Sequence, residues 1–312
     1  MDETITKLLE VVKSNYAMPI EVAVAGEASG QLNHSQSAQK LLANGHLEVR
    51  VTDTTAPDYT LSHELMHMLL ITTGFPQLQY HLASGEPALD QQFFAVSTAL
   101  YDAALHDLIR QWQAEHGILT AEVMTALAAG VEAALPAVDE LNDGLLVYCT
   151  MTLLDALVMF EGGSKAQQKH WSHDYPQAMT LAQSLYATLT SKKHATPFDF
   201  RRLVVRLWRQ FDEMLQHAGF QPTVNAEFAT LPPVLSERQL RLAVNQTYEL
   251  LHSEMRDLET KKRAYVAMGK GDGQNAFVLP VGDLSPEGFQ QLYQAPLKTI
   301  LNQYDIDYAI RD

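Results

Sequence analysis

The chain has 312 residues, 46% hydrophobic and 19% charged, the composition of a globular protein with one large domain or two ordinary ones. A formal net charge of −15 disfavours non-specific binding to nucleic acid or anionic lipid. The single cysteine, Cys149, excludes an intrachain disulfide framework.

The opening MDETITKLLEVV is acidic and amphipathic, unlike a signal peptide, so the expected location is the cytoplasm. It predicts a helix over about residues 3–14. Pro19–Ala25 reads as a short strand, residues 34–44 as a weak helix, and His46–Val51, which alternates apolar and polar, as a half-buried strand. Asp58 is placed to cap the next helix. That helix should end near Thr73, with Gly74 in the left-handed position after it and Pro76 preventing continuation. The stretch EPALDQQFFAVSTALYDAALHDLIRQWQAEHG predicts a long helix closed by Gly117. Helical patterns follow over 121–134, 145–161, 175–190 and 198–218. The longest apolar run, Leu145–Phe160, is interrupted by Asp155 and falls short of the ~20 residues a bilayer requires. It reads as a buried core helix, and no membrane association is expected. Cys149, inside it with no adjacent base, reads as structural.

The Pro-containing stretch Gln221–Ser236 is the expected domain boundary, giving a domain over 1–221, a linker over 222–235 and a small α/β part over 236–312. That last part predicts a helix over Glu237–Lys262, a hairpin in RAYVAMGKGDGQNAFVLPV, a helix capped by Ser285 ahead of Pro286, and a short strand in DIDYAI. Arg202, Arg206 and Arg209 share a helix face that reads as solvated and paired with nearby carboxylates. The fold class these elements imply is a predominantly helical α+β protein.

Chemistry concentrates in His63-Glu64-x-x-His67. On a helix, positions i and i+4 stack on one face, so both imidazoles can point at one metal ion. Glu64 is offset toward a metal-activated water, where a general base belongs. The residues around the three are apolar (Leu61, Leu65, Met66, Met68, Leu69 and Leu70), which marks a buried helix whose polar groups need partners.

The stretch Thr60–Leu69, TLSHELMHML, resembles the extended signature of the zincin metallopeptidases. That resemblance implies a zincin-like core with a small mixed sheet beside an active-site helix, a Zn2+ cofactor, and a peptide or protein substrate. It further implies an edge strand, here His46–Val51, lying beside the helix to pair with extended substrate. The metzincin branch would need glycine and histidine at Leu70 and Thr73, so it is excluded. The glutamate-zincin, thermolysin-like branch implies Glu86, 19 residues after His67, as third metal ligand and Asp90 as the carboxylate orienting His63. Gly85 stands where that branch carries asparagine. His106, or Asp102 one turn before it, is the alternative third ligand. Tyr80, His81, His170, His173 and Tyr175 are candidates for stabilising the oxyanion. The reading that follows is a zinc-dependent metallopeptidase with Glu64 as general base. The alternative is a non-catalytic metal-binding regulatory or structural protein, and a third is a metal-free helical adaptor.

Overall fold

Asp2 caps the first helix, α1 (Glu3–Asn15), by accepting the Thr4 N–H at 2.7 Å. The computed structural model that contains it describes residues 2–279 and 284–311, with backbone alone for Asp143. About 55% of the chain is helical and the sheets are small, a predominantly helical α+β architecture. Two compact units form, each from two stretches: 1–73 with 105–186, and 74–104 with 187–312.

In the first unit α1 is followed by a three-stranded sheet of β1 (Ile20–Val24), β2 (Ser37–Leu41) and β3 (Leu47–Val51), in the order β1-β3-β2. The sheet is mixed, with β1 parallel and β2 antiparallel to β3. The expected strand at His46–Val51 is therefore the central strand, and β2 is an edge. Residues 34–44 form no helix. Asn33 and Gln36 make a capping box around a single 3-10 turn, His34–Gln36, and SAQKL then pairs with β3. Backbone pairing outweighs the weak helical preference of that segment.

The motif lies on α2 (Pro57–Thr72), which starts at Pro57 with Ala56 as its N-cap. Asp58 is not the cap; it lies in the first turn and accepts the Asp2 N–H at 3.0 Å, tying α1 to α2. Gly74 takes φ +86° after the helix end, as its position implies. The long helix is α3 (Pro87–Glu115), and its later turns belong to this unit. It ends with Ile118 N–H on the Gln113 carbonyl around Gly117 at φ +71°, the left-handed stop the sequence predicts. α4 (Ala121–Ala134), α5 (Leu146–Met159), α6 (Lys165–Asp174) and α7 (Pro176–Thr190) follow. His170 and His173 both lie on α6.

The segment Ala121–Glu140 is long and apolar enough, by length and composition, to cross a membrane. Its helix α4, however, stops at Ala134, and 14 residues reach only about 21 Å of the ~30 Å hydrocarbon core. One face of α4 packs with Leu32, Tyr59 and Met159. α5 is buried along most of its length, as the apolar run implies.

Gly130 fixes the loop ahead of the 3-10 turn. Leu32 N–H donates to the Ala126 carbonyl at 3.0 Å, and a Cβ on Gly130 would stand 1.9 Å from the Leu32 carbonyl oxygen. Gly130→Ala gains ~1 kcal/mol of helix preference but forces a backbone to move, and overpacking of that kind typically costs ~1–3 kcal/mol. The melting temperature is expected to fall by about 2–4 °C for each kcal/mol of net loss in a chain of this size. A rise on thermal denaturation would contradict this close approach.

The second unit contains β4 (Gln79–Tyr80), β5 (Leu82–Ala83), the early turns of α3, and α8 (Pro197–His217). After α8 come a one-turn helix, α9 (Asn225–Phe228), and the short strands β6 (Ala229–Thr230) and β7 (Val234–Leu235). The stretch read as a linker over 222–235 is built into this unit. Every residue from Phe228 to Leu235 is buried, and Arg201 of α8 donates to the Leu231 and Pro232 carbonyls. The helix expected over Glu237–Lys262 is two single turns, α10 (Glu237–Leu240) and α11 (Val244–Thr247), followed by a strand, β8 (Tyr248–Asp257). β8 pairs antiparallel with β9 (Arg263–Gly269), burying Tyr248, Leu250 and Ser253, so cross-strand packing wins over the helix-favouring Leu, Glu, Met and Arg. β9 and β10 (Asn275–Leu279) form the expected hairpin; its last expected residues, Pro280 and Val281, lie outside the described residues. The Ser285-capped helix is α12 (Pro286–Gln294), then come α13 (Leu297–Gln303) and β11 (Ala309–Ile310).

Candidate metal centre

Two helices of the first unit are clamped so that their histidines meet. Gln113 of α3 donates to the Tyr59 carbonyl at 3.2 Å and to Ser62 Oγ at 2.9 Å on α2. Gln113 and His106 are seven residues apart, hence on one face of α3, and the same face that grips Tyr59 and Ser62 brings His106 to His63. The His63 and His106 ring centroids are 4.8 Å apart, and those of His67 and His106 5.5 Å.

Within α2 the motif folds as its spacing requires. His63 Nε2 and His67 Nε2 lie 3.0 Å apart. Two nitrogens on one tetrahedral zinc at ~2.05 Å are separated by about 3.3 Å, so the pair is within a few tenths of an ångström of a shared ion. The rings have the protonation state a metal requires. His63 is held well below the ordinary histidine range, by burial first and then by the neighbouring His67, His106 and His34. His67 is pushed down to about 3, again by burial first. Both are neutral imidazoles with lone pairs to offer.

A carboxylate anchors the third ring. His106 Nδ1 donates to Asp155 Oδ1 of α5 at 2.6 Å, which directs the opposite nitrogen, Nε2, away from the carboxylate. His106 is 5% exposed, so this bond fixes its tautomer inside the protein. Burial would raise the Asp155 carboxyl, but its electrostatic interactions and hydrogen bonds with His34 and His106 hold it well below the usual range. Its second oxygen, Oδ2, lies 2.8 Å from Nε2 of His34, on the 3-10 turn. Ligand atoms of His34, His63 and His106 all lie within 4.8 Å of one another, a set able to hold a metal ion.

Glu64 is held beside this group by β2. Ser37 Oγ donates to its Oε1 at 2.7 Å and Gln39 Nε2 to its Oε2 at 2.9 Å. Ser37 and Gln39 are two apart on the strand and so face the same way. One orphan remains: His63 Nδ1 is buried with no hydrogen-bond partner among the described residues.

The other sequence candidates lie elsewhere. Glu86 stands exposed just before Pro87 at the start of α3, in the second unit. Asp90 accepts the Ser84 N–H at 2.8 Å, so it serves the start of its own helix. The carboxylate that meets the histidines is Asp155. Tyr80 bonds Ser97 and Thr98, His81 meets Gln79, His170 and His173 meet Asp174, and Tyr175 donates to the Pro136 carbonyl. Cys149 is buried, its thiol pushed up by desolvation, which agrees with a structural residue.

Sequence reasoning missed Asp155 and His34. The signal for Asp155 was present: a lone charge inside an apolar helix must find a partner. Nothing local marks His34. None of the protein-family models, curated proteins and solved structures compared with this chain matches it, so the chemistry rests on this geometry alone.

Proposed function

We propose that this chain is a zinc-dependent hydrolase of peptide bonds, with His63, His67 and His106 holding the metal and Glu64 acting as general base. The observation that carries the reading is the convergence of three imidazoles, two of them 3.0 Å apart at Nε2 and the third aimed by a carboxylate. A three-histidine set leaves one position open, as catalytic zinc requires. When bound, zinc supplies a Lewis acid and a water of lowered pKa.

The chain's own residues do the rest. Asp155 holds His106 in one tautomer. Ser37 and Gln39 hold the Glu64 carboxylate in one orientation, each using one lone pair and leaving the others to accept a proton from water. Glu64 then returns that proton to the leaving amine. The zincin resemblance agrees with these roles for the motif and with a mixed sheet beside α2; the edge strand beside the helix is β2 instead of β3. The expected substrate is an extended peptide or protein segment in the cytoplasm.

A second reading keeps the metal without turnover, and one observation favours it: both Glu64 oxygens already tie β2 to α2. Glu64→Gln separates the two. A general base typically contributes ~10²–10⁴-fold, so hydrolysis of a peptide library by the zinc-loaded chain should fall by that factor while metal content is unchanged. A loaded parent that cleaves nothing supports the non-catalytic reading, and a variant as active as an active parent would remove Glu64 from the role of general base.

A further inference from the structure

We propose that His34 is a fourth, displaceable ligand of this centre, delivered by an exposed turn and aligned by Asp155, so that substrate enters by displacing it. The inference rests on the metal-centre reading above and adds its regulation. The ligand atom of His34 lies within 4.8 Å of those of His63 and His106. Its ring stacks on His106 at 4.3 Å between centroids with 21° between planes, and sits 5.1 Å from His63.

One carboxylate sets both outer rings. Asp155 Oδ1 takes Nδ1 of His106 and Oδ2 takes Nε2 of His34. An imidazole that donates through one nitrogen presents its lone pair from the other. For His106 that is Nε2 and for His34 it is Nδ1, so Asp155 aims two nitrogens with a single side chain. With a metal bound, the four imidazoles would complete a closed tetrahedral set.

The four ligands differ in how firmly they are held. His63 and His67 share a turn of α2, and His106 sits inside a 29-residue helix with its side chain 6% exposed. His34 has a side chain 45% exposed, on a turn of three residues. A ligand that leaves and returns belongs on the element that costs least to move, and that is this turn. Exchange needs no redox partner: His34 keeps its proton on Nε2, withdraws its Nδ1 lone pair, and leaves the position to solvent or substrate. Asn33 and Gln36 hold the turn through their own capping box, so variants at His34 should leave it folded.

The test uses the full chain loaded with Co2+, with azide as probe. Proton NMR of the cobalt protein counts ligating histidines by their shifted, exchangeable ring N–H signals. Four are expected in the parent and three in both His34→Ala and His34→Gln, the glutamine keeping a hydrogen bond to Asp155. Azide should bind the variants about tenfold more tightly if His34 fills the position nine-tenths of the time. Three signals in all three proteins, with equal azide affinity, would overturn the proposal and leave His34 a partner of Asp155 alone. A parent that takes up no cobalt would overturn the metal-centre reading itself, and this inference with it.

Discussion

On acidification the metal-free chain is expected to begin losing stability near pH 6.5, well before its carboxylates titrate. His67 is pushed down to about 3 and His63 is held well below the ordinary range, in both cases by burial first and then by neighbouring histidines. In the unfolded chain the same histidines take up a proton near pH ~6.5. Each therefore contributes stability that is fully present above that pH and is lost as pH falls toward the folded value. The slope is about 1.4 kcal/mol per pH unit for each group. Over the roughly three units between the two values His67 alone removes about 4 kcal/mol, and His63 acts in the same direction, against the ~5–15 kcal/mol that holds a typical domain folded. Asp155 acts in a lower window: its depressed carboxyl contributes stability present above its unfolded value of 3.8, lost only on further acidification. Circular dichroism of chelator-treated protein should show the transition, with about two extra protons taken up per chain on unfolding. His67→Gln, which removes one of the buried sites, should move the midpoint to lower pH. A midpoint below pH ~3 that ignores this substitution would mean the histidines are not buried neutral.

Asp155→Ala is expected to damage the site from a distance. The substitution leaves the buried His106 Nδ1 without its acceptor at 2.6 Å and His34 Nε2 without its acceptor at 2.8 Å. Losing the partner of a buried donor costs ~1–3 kcal/mol of stability, read as a lower denaturant midpoint. Losing the carboxylate behind a ligating histidine typically weakens metal binding by ~10–100-fold, read by competition with a chelator. Asp155→Asn keeps the shape but offers one acceptor oxygen instead of two, so it should fall between the parent and alanine. An unchanged metal affinity in Asp155→Ala would show that Asp155 is a packing residue with no hold on the ligand.

Local signals in the sequence were reliable where chemistry is local. Ser285 before Pro286, Gly74 and Gly117 mark helix ends by backbone physics that no distant contact alters, and each stands where it was expected. The His63–His67 pair follows from the helix period alone. The failures share a cause in long-range pairing. Residues 37–41 and 248–257 have ordinary helical composition, yet hydrogen bonds to β3 and β9 make them strands. The segment 222–235 reads as a linker from its prolines, but the Arg201 hydrogen bonds that bury it come from α8. The same limit applies to the site. The spacing from His67 to Glu86 matches a known pattern, whereas the approach of His106, Asp155 and His34 depends on the Gln113 clamp and on where α5 packs. Asp155 was visible as the one interruption of an apolar run, and its partners were not.

The most direct test of the centre is metal stoichiometry by elemental analysis on protein purified without added metal, for the parent, Glu86→Ala and His106→Ala. About one zinc per chain in the parent and in Glu86→Ala, with little or none in His106→Ala, is the predicted result for a site built on His63, His67 and His106. Zinc kept by His106→Ala and lost by Glu86→Ala would contradict it, as would a parent that holds no metal even after zinc is offered.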